Sequence, residues 1–181
     1  MQIAEIEALA AAFDDPSDGA AMKSRELILA MLADTPEPFS RRQFSPGHIT
    51  CTGLVMGPTG RVLLVDHARL KRWLLPGGHV EADDASAAEA ARREVLEETS
   101  AELDPAATPV LAGMDVHGIP PKKGEPFHQH HDLIFAFAAV SERAVRSEES
   151  RAGAWCSETE CDQYGVPSNV RLAYARMRKR L

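Results

Sequence analysis

Apolar residues recur at helical spacing near both ends of the chain, while its middle is built from short apolar runs bounded by turn residues. At the N-terminus Ile3, Ile6, Leu9, Ala10 and Phe13 share one helical face, and Met22, Leu27, Ile28, Met31 and Leu32 share another. The polar run Asp14-Asp15-Pro16-Ser17-Asp18-Gly19 separates the two helices. Each stripe must be buried, either on the rest of the chain or on a second subunit as a homodimer, and the pattern leaves both open. Thr35-Pro36-Glu37-Pro38 is a stiff linker, and residues 39–47 are irregular and carry Arg41 and Arg42. Residues 49–56 and 61–67 are strand-like and are joined by Gly57-Pro58-Thr59-Gly60, a hairpin signal. A short element at residues 73–75 leads into a Gly77-Gly78 turn and then a helix that begins at Ser86. Residues 110–119, 133–140 and 152–156 are further strands, and residues 168–179 form a last helix, apolar at Val170, Ala173, Tyr174 and Met177. Strands interleaved with a central and a terminal helix predict an α/β fold, a mixed β-sheet with helices on both faces.

Composition narrows the picture little. A chain of 181 residues is long enough for one domain with its own core. The net charge of −7 argues against holding nucleic acid on a broad basic surface, so no stable nucleic-acid binding is expected. Three cysteines, Cys51, Cys156 and Cys161, lack metal-type spacing and read as thiols in a reducing cytoplasm. Residues 1–13 are acidic and helical rather than a basic and then apolar leader, and nothing approaches the length of a membrane span. A cytoplasmic protein with no membrane partner is the expectation.

Chemistry concentrates in residues 76–101, PGGHVEADDASAAEAARREVLEETSA. Ser86 is placed to cap the helix, with Glu89 three residues on to complete a capping box. Glu94, Glu97 and Glu98 then project from one sector, which is repulsive unless something compensates it. A hard divalent cation such as Mg²⁺ does so, because it takes carboxylate oxygens and completes its shell with water and phosphate. A Glu/Arg-rich helix is ordinarily a solvated face and a Gly-Gly pair ordinarily a turn; the joint offsets of these groups set that reading aside. The segment resembles the Nudix box, with Gly78 at its first position, Arg93-Glu94-Val95-Leu96-Glu97-Glu98 as its central run and Ala101 as its last apolar site. It departs from that pattern in three ways: Asp84 replaces the first Glu, eight residues rather than seven separate it from Arg93, and Ser100 stands where Gly is usual.

The resemblance implies a Nudix-like α/β/α sandwich over residues 47–181, preceded by a helical extension and linker over residues 1–46. It further implies Mg²⁺ (or Mn²⁺) as cofactor, with Glu94, Glu97, Glu98 and the Gly78 carbonyl as metal ligands. Arg93 would orient a glutamate, and Glu98 or a histidine such as His130 would assist proton removal.

A second constellation, His128-Gln129-His130-His131-Asp132, precedes the apolar run at residue 133, and Asp115 and His117 lie on the preceding strand. Alternation puts His128, His130 and Asp132 on one face, and Asp115 and His117 on one face of theirs. A transition-metal site, phosphate or base recognition, a general base and a structural network all remain open for this wall. The run also looks like a Nudix subgroup that carries a Pro-Gly-His-x-Thr segment, here Pro46-Gly47-His48-Ile49-Thr50. Trp73 is a candidate for stacking on a base, and Arg69, Lys71, Arg72, Lys122 and Lys123 for meeting phosphates, with packing and solvated surface as the ordinary alternatives. Glu148 or Glu149 is a further acidic candidate.

These features predict a metal-dependent pyrophosphohydrolase, a hydrolase acting on a nucleotide-type small molecule: an NTP, nucleotide sugar, ADP-ribose or similar nucleoside diphosphate derivative, cleaved by metal-activated water. Its alternative is a non-catalytic nucleotide-sensing module on the same fold, motivated by the altered box. Nudix-related isomerase chemistry would need an acid at the substrate carbon, for which Cys51 is the candidate.

Overall fold

A computed structural model of the chain describes residues 1–68, 71–122, 124–143 and 150–180. Two N-terminal helices, α1 (Ile3–Ala12) and α2 (Gly19–Asp34), lead into the hairpin β1 (Gly47–Met56) and β2 (Val62–His67). Gly60 sits at φ 79°, the region that favours glycine, and the Gly57 N–H donates to Arg61 O at 2.8 Å, so the turn signal folds as a turn. Short strands β3 (Arg72–Leu74) and β4 (Gly77–His79) precede α3 (Ala87–Thr99). Then come β5 (Val110–Ile119), β6 (His128–Ala138), β7 (Ser150–Cys156) and α4 (Ser168–Arg178).

The sheet runs β3-β2-β1-β6-β5, with β4 also paired to β1 and β7 to β2. Its centre is the parallel pair β1 and β6, and the other pairs are antiparallel, so the sheet is mixed as predicted. Alternation divides the core. Ile49, Cys51 and Val55 of β1 join Leu133, Phe135 and Phe137 of β6 under α1, α2 and α3. Leu54 and Met56, with Ile134 and Ala136, face Val170, Ala173, Tyr174 and Met177 of α4. The layers are therefore α/β/α. No helix among the described residues is long and apolar enough to cross a membrane.

Both N-terminal stripes are spent within the chain. Ile6 and Ile28 are fully buried, each side chain contributing roughly 1.5–3 kcal/mol, so the surface that would have argued for a homodimer covers the sheet instead. The stripe of α2 is rotated from the expected one: Ala21, Ser24, Ile28, Met31 and Leu32 are buried, and Leu27 is exposed. Polar ties fix the docking. Arg176 of α4 donates to Asp15 at 2.6 Å, to Asp18 at 2.8 Å and to Ala112 O of the edge strand β5, with its guanidinium over the Phe13 ring.

Helix α3 is held at both ends. Ser86 Oγ accepts the Glu89 N–H at 3.1 Å as predicted, but the Glu89 carboxylate lies 3.4 Å from Arg92 rather than closing a capping box. The Ala87 N–H, the next along the helix, is taken by Glu5 of α1 at 2.8 Å, and the Met1 amino group donates to Asp84 O at 3.1 Å. At the other end Ser100 is left-handed, φ 54° and ψ 27°, with its N–H on Leu96 O at 3.0 Å. The helix lies so close to β1 that a Cβ on Gly53 would fall 2.1 Å from Val95 Cγ2.

Two substitutions test these constraints by urea denaturation. Ser100→Gly should raise stability by about 1 kcal/mol by relieving a left-handed non-glycine residue. Gly53→Ala should lower it by about 1–3 kcal/mol through overpacking.

Candidate active site

The site begins with Arg93, whose five N–H groups are all committed. Nε and Nη2 hold both carboxylate oxygens of Asp84 at 3.0 Å, and Nη2 also donates to His79 O at 2.8 Å. Nη1 reaches Glu94 and Glu97, each at 3.0 Å. A planar fork with fixed donor directions can satisfy such a set where a lysine cannot. Asp84 is buried and also accepts the Glu81 N–H at 2.8 Å. Burial pushes its carboxyl up, but the hydrogen bonds from Arg93 and Glu81 together with the Arg93 charge outweigh that and hold it below the usual range. The hydrogen bonds it donates to Asp84 lead the effects that raise Arg93 above its ordinary value.

Against this clamp lies β4. A Cβ on Gly78 would come within 2.6 Å of Glu94 Oε1, so the glycine is what lets the strand backbone pass directly beside the carboxylate. Glu97 is exposed and Glu98 half-buried, and with Glu94 they present hard oxygen donors within one turn of α3. That donor set, and the bare backbone beside it, fit an oxygen-seeking divalent cation.

The opposite face of β4 belongs to a second cluster. His79 pairs with Thr50 of β1, which pairs in turn with Asp132 of β6, and Asp132 pairs with Asp115 of β5. Asp132 Oδ1 accepts from both Thr50 and Thr52 hydroxyls at 2.9 Å, and burial raises its carboxyl above the ordinary value. The His117 ring is 2.8 Å from Asp115 and is raised by that hydrogen bond. The rings of His48, His79, His117 and His128 all have centroids within 5.5 Å of that of His130. Burial, reinforced by neighbouring histidines, pushes His79 down to about 4 and His130 to about 2. His131 turns to the other face of the sheet and is buried there.

The structure thus gathers Glu94, Glu97, Glu98, Arg93 and Gly78 on one side of β4, and His117, His128, His130 and Asp132 on the other. Trp73 and Arg72 lie elsewhere, on β3, three places from β6 in the sheet. The Trp73 ring sits edge-on to Tyr164 at 5.0 Å on the α4-side core, and Arg72 is exposed. Lys122 pairs with Glu125 at 2.9 Å. Cys51 is fully buried under α3, where burial pushes its thiol well up, away from the histidine wall. Glu148, Glu149, Arg69 and Lys123 fall outside the described residues. No sequence motif announces His79 or Thr52, and only the Gly-His-x-Thr segment announces His48 and Thr50; alternation along β1 is the signal that links His48, Thr50 and Thr52.

Residues 47–178 match the family model of the NUDIX domain. The chain belongs to the NUDIX family. Among solved structures it is similar to the Escherichia coli dihydroneopterin triphosphate pyrophosphohydrolase, at 20% identity and TM-score 0.53, over 74% of this chain and 96% of that one. It is also similar to a MutT protein from Methanosarcina mazei, at 24% identity and TM-score 0.54, over 73% and 93%. The NUDIX domain of Shewanella oneidensis NrtR, in complex with ADP ribose, aligns at 17% identity and TM-score 0.56, over 84% and 97%. At these identities the likeness is one of fold. Comparison with curated proteins finds no match. NUDIX proteins typically use divalent metals, which agrees with the donor set on α3. The departures in this NUDIX box leave its scaffold intact: Asp84, shorter than Glu but on a loop one residue longer, still closes a bidentate pair with Arg93.

Asp84→Asn should cost about 2 kcal/mol at pH 7, read by urea denaturation, from the loss of charged hydrogen bonds. Because the folded carboxyl titrates below its unfolded value near 3.9, that difference should be full above about pH 4 and shrink as pH falls further. An equal gap at pH 7 and pH 3 would contradict the clamp.

Proposed function

We propose that this protein hydrolyses a pyrophosphate linkage in a nucleoside diphosphate derivative, with Mg²⁺ or Mn²⁺ held by Glu94, Glu97, Glu98 and the Gly78 carbonyl. One observation carries the reading: a guanidinium with all its donors engaged fixes a carboxylate face against a strand that glycine keeps bare. Pyrophosphate cleavage needs positive charge at the phosphoryl oxygens, a water in line with the leaving oxygen and an acceptor for its proton. A bound divalent ion supplies the charge. Arg93 orients Glu94 and Glu97 toward it, and Glu98 accepts the proton. His130 is the weaker base, since a group pushed down to about 2 holds a proton poorly near neutrality. Across β4, the exposed His117 offers a ring face and a hydrogen-bonding group to the nucleoside portion, with the buried His128 and Asp132 behind it.

The substrate class draws coarse support from structural neighbours. One is a pyrophosphohydrolase of a pterin triphosphate, one an ADP-ribose complex, and one a Caenorhabditis elegans Ap4A hydrolase.

Glu97→Gln and Glu98→Gln, made separately, test the proposal on a panel of NTPs, ADP-ribose, dinucleoside polyphosphates and CoA with Mg²⁺ or Mn²⁺. Turnover by the native protein should fall by about 100-fold or more in each variant. Full turnover in both variants would overturn the site assignment. Calorimetric binding of a nucleotide with Mg²⁺, with no product over hours, would favour the sensing module.

A further inference from the structure

The histidine wall contains a geometry that substrate recognition does not require. One ring nitrogen each from His48, His79 and His130 lies within 4.8 Å of the other two. These residues come from three different strands, β1, β4 and β6, so no local sequence spacing displays them. The three are mutually close as rings as well, with centroids 4.9–5.3 Å apart.

We propose that His48, His79 and His130 form a site for a divalent transition metal, with Zn²⁺ as the ion it suits best, distinct from the carboxylate site on α3. Three nitrogens around tetrahedral zinc at about 2.0–2.1 Å would stand about 3.3 Å apart, a separation that modest side-chain rotations reach from the present one. The decisive residue is His48, only 1% exposed. Its Nδ1 is 3.1 Å from Gln43 O, where it donates, and this leaves Nε2 as a lone pair. That Nε2 is buried and has no hydrogen-bond partner among the described residues. An imidazole whose second nitrogen is fixed by a backbone carbonyl is the usual arrangement of a metal-ligating histidine, because it sets both tautomer and ring direction.

His128 is not part of the trio. Its Nδ1 is 2.9 Å from Pro126 O, and its ring lies stacked at 5.2 Å on His48, closing that side of the site. Three protein ligands leave a fourth position for water or an anionic oxygen.

Donor chemistry keeps the two metal sites apart. Imidazole nitrogens select zinc, cobalt, nickel or copper over magnesium, whereas the α3 carboxylates suit magnesium or manganese. β4 lies between them: the Gly78 backbone runs beside Glu94 and the His79 ring joins the trio.

Cobalt absorption provides the test, with Co²⁺ as a visible stand-in for Zn²⁺ in the full chain. One equivalent of Co²⁺ should give the strong d–d bands of a four- or five-coordinate site. These bands should persist in excess Mg²⁺ and in Glu97→Gln and Glu98→Gln, disappear on adding Zn²⁺, and be lost in His79→Asn and His130→Asn. Absence of such bands, survival in both histidine variants, or loss in the glutamate variants would overturn the proposal. Should either histidine variant fail to fold, Zn²⁺-soaked crystals of the native protein decide the matter. An anomalous peak among His48, His79 and His130 supports the site, and its absence there refutes it.

Discussion

Arg93 occupies the point where a loop, a strand and a helix must agree. Its side chain closes a bidentate pair with Asp84, caps a carbonyl of β4 and neutralises two carboxylates of its own helix. Remove the fork and three separate problems appear. A buried Asp84 loses its counter-charge, His79 O loses its donor from the helix, and Glu94 and Glu97 repel each other one turn apart. Breaking a partly buried charge network is costly because the remaining groups stay desolvated. The carboxylate face is thus a consequence of the clamp as much as of helical spacing.

Other parts of the fold serve the same helix. Glu5 of α1 takes the N–H of Ala87 and the chain terminus reaches Asp84, so the N-terminal helices support the box from outside the matched residues 47–178. Arg176 ties the α1–α2 turn to the C-terminal helix around the β5 edge. On the inner side, Gly53 and Gly78 let β1 and β4 approach α3 closely enough for Val95 and Glu94 to meet backbone. β4, three residues long, then divides two chemistries, oxygen donors on one side and imidazoles on the other.

Much of this was legible in the sequence for physical reasons. Helical stripes announce helices because burial needs one continuous face, and β5 was readable at both ends. The box was legible because its charges sit at fixed offsets on one helix. β6 begins at His128 rather than Leu133 because its first five residues are histidines, a glutamine and an aspartate, of which His128, His130 and Asp132 join the cluster of neighbouring strands, so the strand does not read as apolar there. Leu27 faces solvent because α2 is rotated to bury Ala21 and Ser24, small residues whose packing value no hydrophobicity pattern reveals. Glu89 turns to Arg92 rather than back to the N-cap, and the acceptor at the next N–H of the helix, that of Ala87, comes from Glu5, more than eighty residues away, a tie that no local pattern displays. His48, Thr50 and His79 were opaque in the same way: their roles exist only through the register of β1 with β4 and β6.

The central claim, that one guanidinium orients the metal-binding carboxylates, is tested most directly by Mn²⁺ titration of Arg93→Lys followed by electron paramagnetic resonance. Lysine keeps the charge but not the planar fork, so electrostatics alone predicts little change. If the clamp orients the ligands, Mn²⁺ affinity should fall by about 10-fold or more in a variant that remains folded. Native affinity in folded Arg93→Lys would contradict the account.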